Sequence, residues 1–171
     1  NQLTTKDGHK PQNTLITTGT GSGKTECFLY PILDYCYKNI GRKGIKVIIL
    51  YPMNALATDQ ARRLAQAIYA DDRLRGKVTA GLFIGKGQDK KDFRLEMEED
   101  GIIESREAIL ANPPDILLTN FKMLDMGIMK AEFSNLWSYN TADPDVLQFL
   151  ILDELHTYDG AQGTDVANLI R

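Results

Sequence analysis

Thr14-Leu15-Ile16-Thr17-Thr18-Gly19-Thr20-Gly21-Ser22-Gly23-Lys24-Thr25 reads as a short strand running straight into a glycine-rich turn at the head of a helix. The helix is marked by Phe28, Leu29, Ile32, Leu33, Cys36 and Ile40 at helical spacing, with Gly41 near its stop and Pro31 able to bend it slightly. A polyphosphate needs inward-pointing backbone N–H groups and the positive end of a helix, and glycines let the backbone curl that closely. Gly21, Ser22 and Gly23 supply such a nest. Lys24 then reaches the β- and γ-phosphates, and the Thr25 hydroxyl is placed for Mg²⁺. The strict phosphate-loop pattern asks for glycine at position 18, where this chain has Thr18, but Gly21-Ser22-Gly23-Lys24-Thr25 is intact. The alternative is a glycine-rich turn that binds no nucleotide.

Working outward, apolar runs recur at Val47-Ile48-Ile49-Leu50, Val78 to Ile84, Ile116-Leu117-Leu118 and Phe149-Leu150-Ile151-Leu152. They are continuous rather than alternating, as strands covered on both faces are, which favours a parallel sheet. Leu56, Ala57, Ala61, Leu64 and Ile68 form a second helical stripe, with Arg62, Arg63 and Gln66 pointing elsewhere. This strand-helix alternation predicts a doubly wound α/β fold. Asn112-Pro113-Pro114-Asp115 and Asp143-Pro144-Asp145 mark turns before the last two strands. The charged stretch Gly85–Glu107 reads as a loop plus a solvated helix, the alternative being a basic lip over a nucleic-acid groove.

The last run ends in Asp153-Glu154. In an open α/β sheet ligands bind at the carboxyl ends of the strands, so these acids share an edge with the phosphate loop. Asp153 is suited to hold Mg²⁺, and Glu154 to orient and deprotonate an attacking water. His156 can donate and accept hydrogen bonds at neutral pH, and so couple this site to another element; the alternative is a packing histidine.

The chain has 171 residues, enough for one domain, 1–171, with a single core. Composition excludes disorder and fibrous classes: 43% of residues are hydrophobic and 25% charged. A net charge of −3 gives no global field toward nucleic acid, so any such contact must be local. Cys27 and Cys36, ~13 Å apart on one helix, are out of disulfide reach, and no clustered His/Cys set suggests zinc. No apolar run approaches the ~20 residues of a membrane span and no signal segment is evident, so the expected compartment is the cytoplasm. The abrupt start at Asn1 suggests a piece of a longer chain.

Taken in order, four segments resemble the motifs of superfamily-two DExH helicases. Thr18 to Thr25 resembles motif I, whose leading position in that superfamily is commonly not glycine. Tyr51-Pro52-Met53-Asn54-Ala55-Leu56-Ala57 with Asp59-Gln60 resembles motif Ia, and Pro114 to Asn120 with Met123-Leu124 resembles motif Ib. Asp153-Glu154-Leu155-His156 resembles motif II; continued through Thr157-Tyr158 to Gly160, Gly163 and Val166-Ala167-Asn168, it is similar to the YprA/MrfA-like branch of DNA helicases.

The resemblance implies a RecA-like P-loop NTPase domain, with a mostly parallel sheet and helices on both faces. It also implies use of ATP and Mg²⁺. Thr20, Gly21, Ser22, Gly23, Lys24, Thr25 and Glu26 would bind nucleotide, Thr25 and Asp153 the metal. Lys24 and Glu154 would be catalytic and His156 the coupling residue. Pro52, Met53, Asn54, Thr119 and Asn120 would hold the backbone of single-stranded DNA, with Gly85-Lys86 as further candidates. For Asn54 and Thr119 the bland alternative is helix capping. A second RecA-like domain of the same parent chain would supply an arginine finger, and the work would be DNA repair or genome defence. Competing readings are an ATP-gated nucleic-acid clamp, an RNA helicase and a small-molecule kinase.

Overall fold

Four parallel strands form one sheet in the computed structural model, which describes residues 11–17, 23–85 and 93–170. They are β1 (Val47–Leu50), β2 (Ala80–Phe83), β3 (Ile116–Thr119) and β4 (Phe149–Leu152), in spatial order β2-β3-β1-β4. Leu50 pairs with both Thr119 and Leu152, and Phe83 with Thr119, so all four strands end level along one edge.

Every residue of β1, β2 and β3 is buried, because successive side chains enter two different cores. On one face Val47, Ile49, Ala80, Leu82, Ile116, Leu118 and Phe149 pack against α1 (Lys24–Lys38) and α2 (Asn54–Tyr69). On the other, Ile48, Leu50, Phe83 and Leu117 meet α3 (Arg106–Ala111), α4 (Phe121–Met129) and the 3₁₀ stretch Ala131–Trp137. The sheet is therefore covered on both sides, as the continuous apolar runs require. Two short helices complete the chain, α5 (Ser138–Ala142) and α6 (Gly160–Leu169).

The amino-terminal ends of the strands are tied by a buried ion pair. Lys46, fully buried, bonds Asp115 and the Arg42 carbonyl through its ammonium. The other carboxylate oxygen of Asp115 accepts from the Thr79 N–H at 2.8 Å and from the Thr79 hydroxyl at 3.2 Å. One carboxylate thus joins the entries to β1, β2 and β3.

The expected single core is instead two, one on each face of the sheet. Two local expectations are also corrected. Thr14–Thr17 forms no strand, and Leu15 is 71% exposed. A strand is stabilised by ladder bonds and by a face to bury, and among the described residues this segment has neither. Among the described residues no strand pairs with the outer edge of β4, and Leu150 is 40% exposed. The second correction concerns the charged stretch: residues 93–105 are not a solvated helix. Ile102 and Ile103 are buried, and Ile103 bridges Gly81 beside β2, its carbonyl accepting from the Leu82 N–H at 2.8 Å. The charge blocks hid these two isoleucines, whose burial outweighs the polarity around them. Helix begins only at α3, capped by the Ser105 side chain, which accepts from the Ala108 N–H.

Candidate nucleotide and nucleic-acid site

The level strand ends bring four connecting segments to one edge: Tyr51–Asn54 after β1, Ile84-Gly85 after β2, Asn120 after β3 and Asp153-Glu154 after β4. Of the phosphate loop, Gly23 and the start of α1 are described; Thr18, Gly19, Thr20, Gly21 and Ser22 lie outside the described residues. Gly23 is the residue before the helix and has φ +79°, a left-handed conformation that side chains rarely adopt. Among the described residues no side chain caps α1, and the first N–H groups and positive end of a helix suit an anion. Lys24 and Thr25 are half-buried, while Glu26 is exposed in the first turn.

Asp153 is anchored at the end of β4, where its N–H donates to the Leu50 carbonyl at 3.0 Å. One of its carboxylate oxygens accepts from the Glu154 N–H at 2.9 Å. Burial holds the Asp153 carboxyl above the usual carboxylate range and the negative charge of Glu154 adds to this; the Glu154 N–H and the positive charge of Lys24 pull the other way. The positive charge of Lys24 at the head of α1 thus reaches Asp153.

Glu154 has φ 49°, the one non-glycine residue with positive φ among the described residues. Such a backbone costs of order 1–2 kcal/mol. It is fixed by the turn that follows: the Glu154 carbonyl accepts from both the N–H and the hydroxyl of Thr157 at 2.8 Å. The His156 Nδ1 lies 3.3 Å from a Glu154 carboxylate oxygen. The histidine two residues on thus lies beside the acid expected to act as base.

The expected nucleic-acid residues divide. Met53 is 64% exposed and Asn54 opens α2 on the surface. Asn120 caps α4, its side-chain oxygen accepting from the Met123 N–H at 2.8 Å, while its amide donates to the Asn54 side-chain oxygen at 2.7 Å. Pro52 is half-buried between β1 and α2. Thr119 is fully buried with its hydroxyl bonded to the Phe83 carbonyl at 2.5 Å, so its side chain faces the core, not a ligand. The capping alternative goes to Asn120 and not to Asn54 or Thr119. Gly85 sits at the edge, and Lys86 lies outside the described residues.

An open cleft of about 810 Å³ separates α2 from residues 93–104 and is lined by Asp59, Arg62, Arg94, Glu96 and Glu98 among others. Neither Lys24 nor Asp153 lines it. Nor does the described part of this segment form a basic lip: Arg94 is held by Asp100 at 3.1 Å and Glu98 at 3.6 Å. Its guanidinium lies where a Cβ on Gly101 would stand.

Sequence reasoning did not find Tyr51 and Tyr158. Both phenols are raised by burial and by the nearby charge of Asp153, Tyr158 to about 12. Both stand within the quoted motifs, but no local pattern relates either phenol to Asp153. The Thr25 hydroxyl and the Asp153 carboxylate, one of whose oxygens is engaged among the described residues, are of the hard-oxygen type that suits Mg²⁺ shared with a nucleotide. Among the described residues no cluster of three His, Cys, Asp or Glu could cage an ion with protein donors alone.

This sheet edge, with lysine, acid pair and histidine in place, defines a helicase-type nucleotide-binding domain. The chain belongs to the DEAD/DEAH box helicase family, whose sequence model matches residues 2–171. It is 27% identical over 164 residues to the uncharacterized ATP-dependent helicase MJ1574 of Methanocaldococcus jannaschii, covering 95% of this chain and 21% of that protein. It is 28% identical over 162 residues to the uncharacterized ATP-dependent helicase YprA of Bacillus subtilis, covering 95% and 18%. The Schizosaccharomyces pombe ATP-dependent helicase hrq1 is 27% identical over 158 residues, covering 92% and 12%. The chain thus spans about a fifth or less of the length of these relatives. No helix among the described residues is long and apolar enough to cross a membrane.

Proposed function

We propose that this chain is the ATP-binding half of the motor of an ATP-dependent DNA helicase or translocase, working in repair or genome defence in the cytoplasm. The observation that carries the reading is the placement of Asp153 and the left-handed Glu154 at the carboxyl edge of a parallel sheet, within reach of the Lys24 charge at the head of α1. ATP with Mg²⁺ supplies the phosphoanhydride whose cleavage drives the cycle. The start of α1 and the glycine-rich turn bind phosphate through backbone N–H groups, and Lys24 adds a fixed positive charge. Thr25 and Asp153 offer hard oxygen donors to the ion. Glu154, beside His156, orients a water and takes its proton.

The DNA-holding surface is the neighbouring part of the same edge. Met53, Asn54 and Asn120 present backbone and amide groups that can bond phosphates without reading bases, which suits a motor and suits a chain of net charge −3. A second RecA-like domain in the same parent chain would close over the nucleotide and contribute the transition-state arginine. Opening and closing of the pair converts hydrolysis into displacement along a single strand.

The test uses the intact protein. ATP turnover should rise with single-stranded DNA, and Lys24→Ala or Glu154→Gln should abolish the rise. Unchanged turnover in both variants overturns the reading. ATP-dependent DNA binding with no strand displacement or translocation would mark a clamp instead, and stimulation by RNA but not DNA an RNA motor.

A further inference from the structure

Tyr158 carries the one buried side-chain oxygen or nitrogen without a hydrogen-bond partner among the described residues, its phenolic hydroxyl. Burying such a group unpaired leaves its desolvation uncompensated, so a fold that keeps one needs a reason. Its neighbour supplies one. Tyr158 follows Asp153 through a tight 3₁₀ turn, closed by the Thr157 N–H to the Glu154 carbonyl at 2.8 Å and the Tyr158 N–H to the Leu155 carbonyl at 3.2 Å, and the Asp153 charge reaches the phenol; among the described residues one of the two Asp153 carboxylate oxygens is engaged, by the Glu154 N–H. An unpaired donor therefore sits near a half-satisfied acceptor. Each lacks what the other offers.

The position of Tyr158 is imposed from behind. A Cβ on Gly163 would stand 2.7 Å from the Tyr158 carbonyl oxygen, a separation that real side chains do not reach. Glycine at 163 is what allows α6 to press against the Tyr158 backbone, and the Gly163 N–H to Asp159 carbonyl bond at 3.0 Å holds that first turn of helix in place. Two features of one turn, an orphaned hydroxyl and a glycine-dependent close approach, thus serve the placement of a single side chain.

We propose that Tyr158 is a positioning residue for Asp153: when the nucleotide site fills, its hydroxyl donates to the free carboxylate oxygen of Asp153, or to the water that this oxygen holds, and fixes the orientation in which Asp153 meets the metal. Carboxylates that ligate metals are themselves hydrogen-bonded, and loss of such a support typically weakens metal affinity about 10–100-fold. The inference rests on the reading of Asp153 as the magnesium-facing acid.

The experiment compares wild type, Tyr158→Phe and Gly163→Ala in the intact protein by two readouts. One is thermal unfolding without nucleotide; the other is equilibrium binding of a fluorescent ATP analogue as Mg²⁺ is titrated. Phenylalanine keeps the ring and removes only the unpaired hydroxyl, so Tyr158→Phe should melt at or above the wild-type temperature and yet need roughly tenfold more Mg²⁺ for half-maximal binding. Gly163→Ala should shift the Mg²⁺ dependence in the same direction, because it displaces Tyr158 while keeping the hydroxyl. A Tyr158→Phe protein with wild-type Mg²⁺ dependence overturns the inference, whatever its melting temperature. If wild type itself shows no Mg²⁺-dependent nucleotide binding, the reading of the whole site fails instead.

Discussion

The side-chain amide of Asn120 donates to the side-chain oxygen of Asn54 at 2.7 Å. These residues are 66 positions apart, one at the start of α2 and one capping α4, and their bond ties the two loops expected to grip a nucleic-acid strand. Asn120 has a second task, since its oxygen satisfies the Met123 N–H at the head of α4.

These two tasks can be separated. Asn120→Ala loses both and should cost about 1 kcal/mol of stability. Asn120→Ser keeps a capping oxygen but is too short to reach Asn54, so its melting temperature should stay near wild type. Both variants, and Asn54→Ala, should weaken stimulation of ATP turnover by single-stranded DNA. DNA titrations against turnover, with parallel melting curves, check this; full stimulation in Asn120→Ser would show that the link is dispensable.

His156 and Glu154 form an exposed pair, the histidine side chain being 77% accessible, so His156→Ala should leave stability unchanged. Its effect should fall on turnover, because a base displaced by a fraction of an ångström loses rate steeply. A drop on the order of ten- to a hundredfold in stimulated ATP hydrolysis is expected, with ATP affinity retained. Glu154→Gly should remove turnover and raise stability by up to about 1 kcal/mol by relieving the left-handed backbone. Single-turnover kinetics and denaturant unfolding measure the two effects.

Asp153 gives a pH dependence of defined sign. Its folded-state pKa is raised above the ordinary 3.8, first by burial. The stability linked to its proton is therefore fully present below that ordinary value and is lost as pH rises through the raised one. Asp153→Asn removes the buried charge and keeps an acceptor for the Glu154 N–H. The variant should be at least as stable as wild type at neutral pH without nucleotide, and should lack this part of the pH dependence. It should also gain nothing from ATP with Mg²⁺. Melting curves between about pH 4 and 7, with and without nucleotide, decide it.

At the opposite ends of the strands, Asp115→Ala should be among the most damaging changes outside the site. It leaves the Lys46 ammonium, fully buried, without its counter-ion, and strips the Thr79 N–H of its acceptor. A loss of about 3–5 kcal/mol is expected in denaturant unfolding. The double change Lys46→Met with Asp115→Ala should recover much of it, because the uncompensated charge is then gone.

Much of this was legible beforehand. The continuous runs Val47–Leu50 and Ile116–Leu118 announced strands buried on both faces, and the stripe from Leu56 to Ile68 announced α2. Asp153-Glu154 at the end of an apolar run was placed correctly at the carboxyl edge, since a parallel sheet puts all such ends on one side. Less legible were α3, α4 and the 3₁₀ stretch Ala131–Trp137, which are short and weakly periodic and take their shape from packing on the second face. Ile102 and Ile103 were masked by the acids beside them. Thr119 looked like a ligand residue because it ends a strand; its hydroxyl turns inward to the Phe83 carbonyl because that acceptor lies on the neighbouring strand.

By itself the sequence determined the class of fold, the order of its elements and the chemistry available to it, because apolar periodicity, glycine conformation and the donor sets of Lys24, Thr25, Asp153 and Glu154 are local properties of the chain. Only the tertiary structure decided which of these groups face one another. The reach of the Lys24 charge to Asp153, the Asn54–Asn120 link, the buried Lys46–Asp115 pair and the unpaired hydroxyl of Tyr158 all depend on strand order and register, which bring together side chains that no local pattern relates.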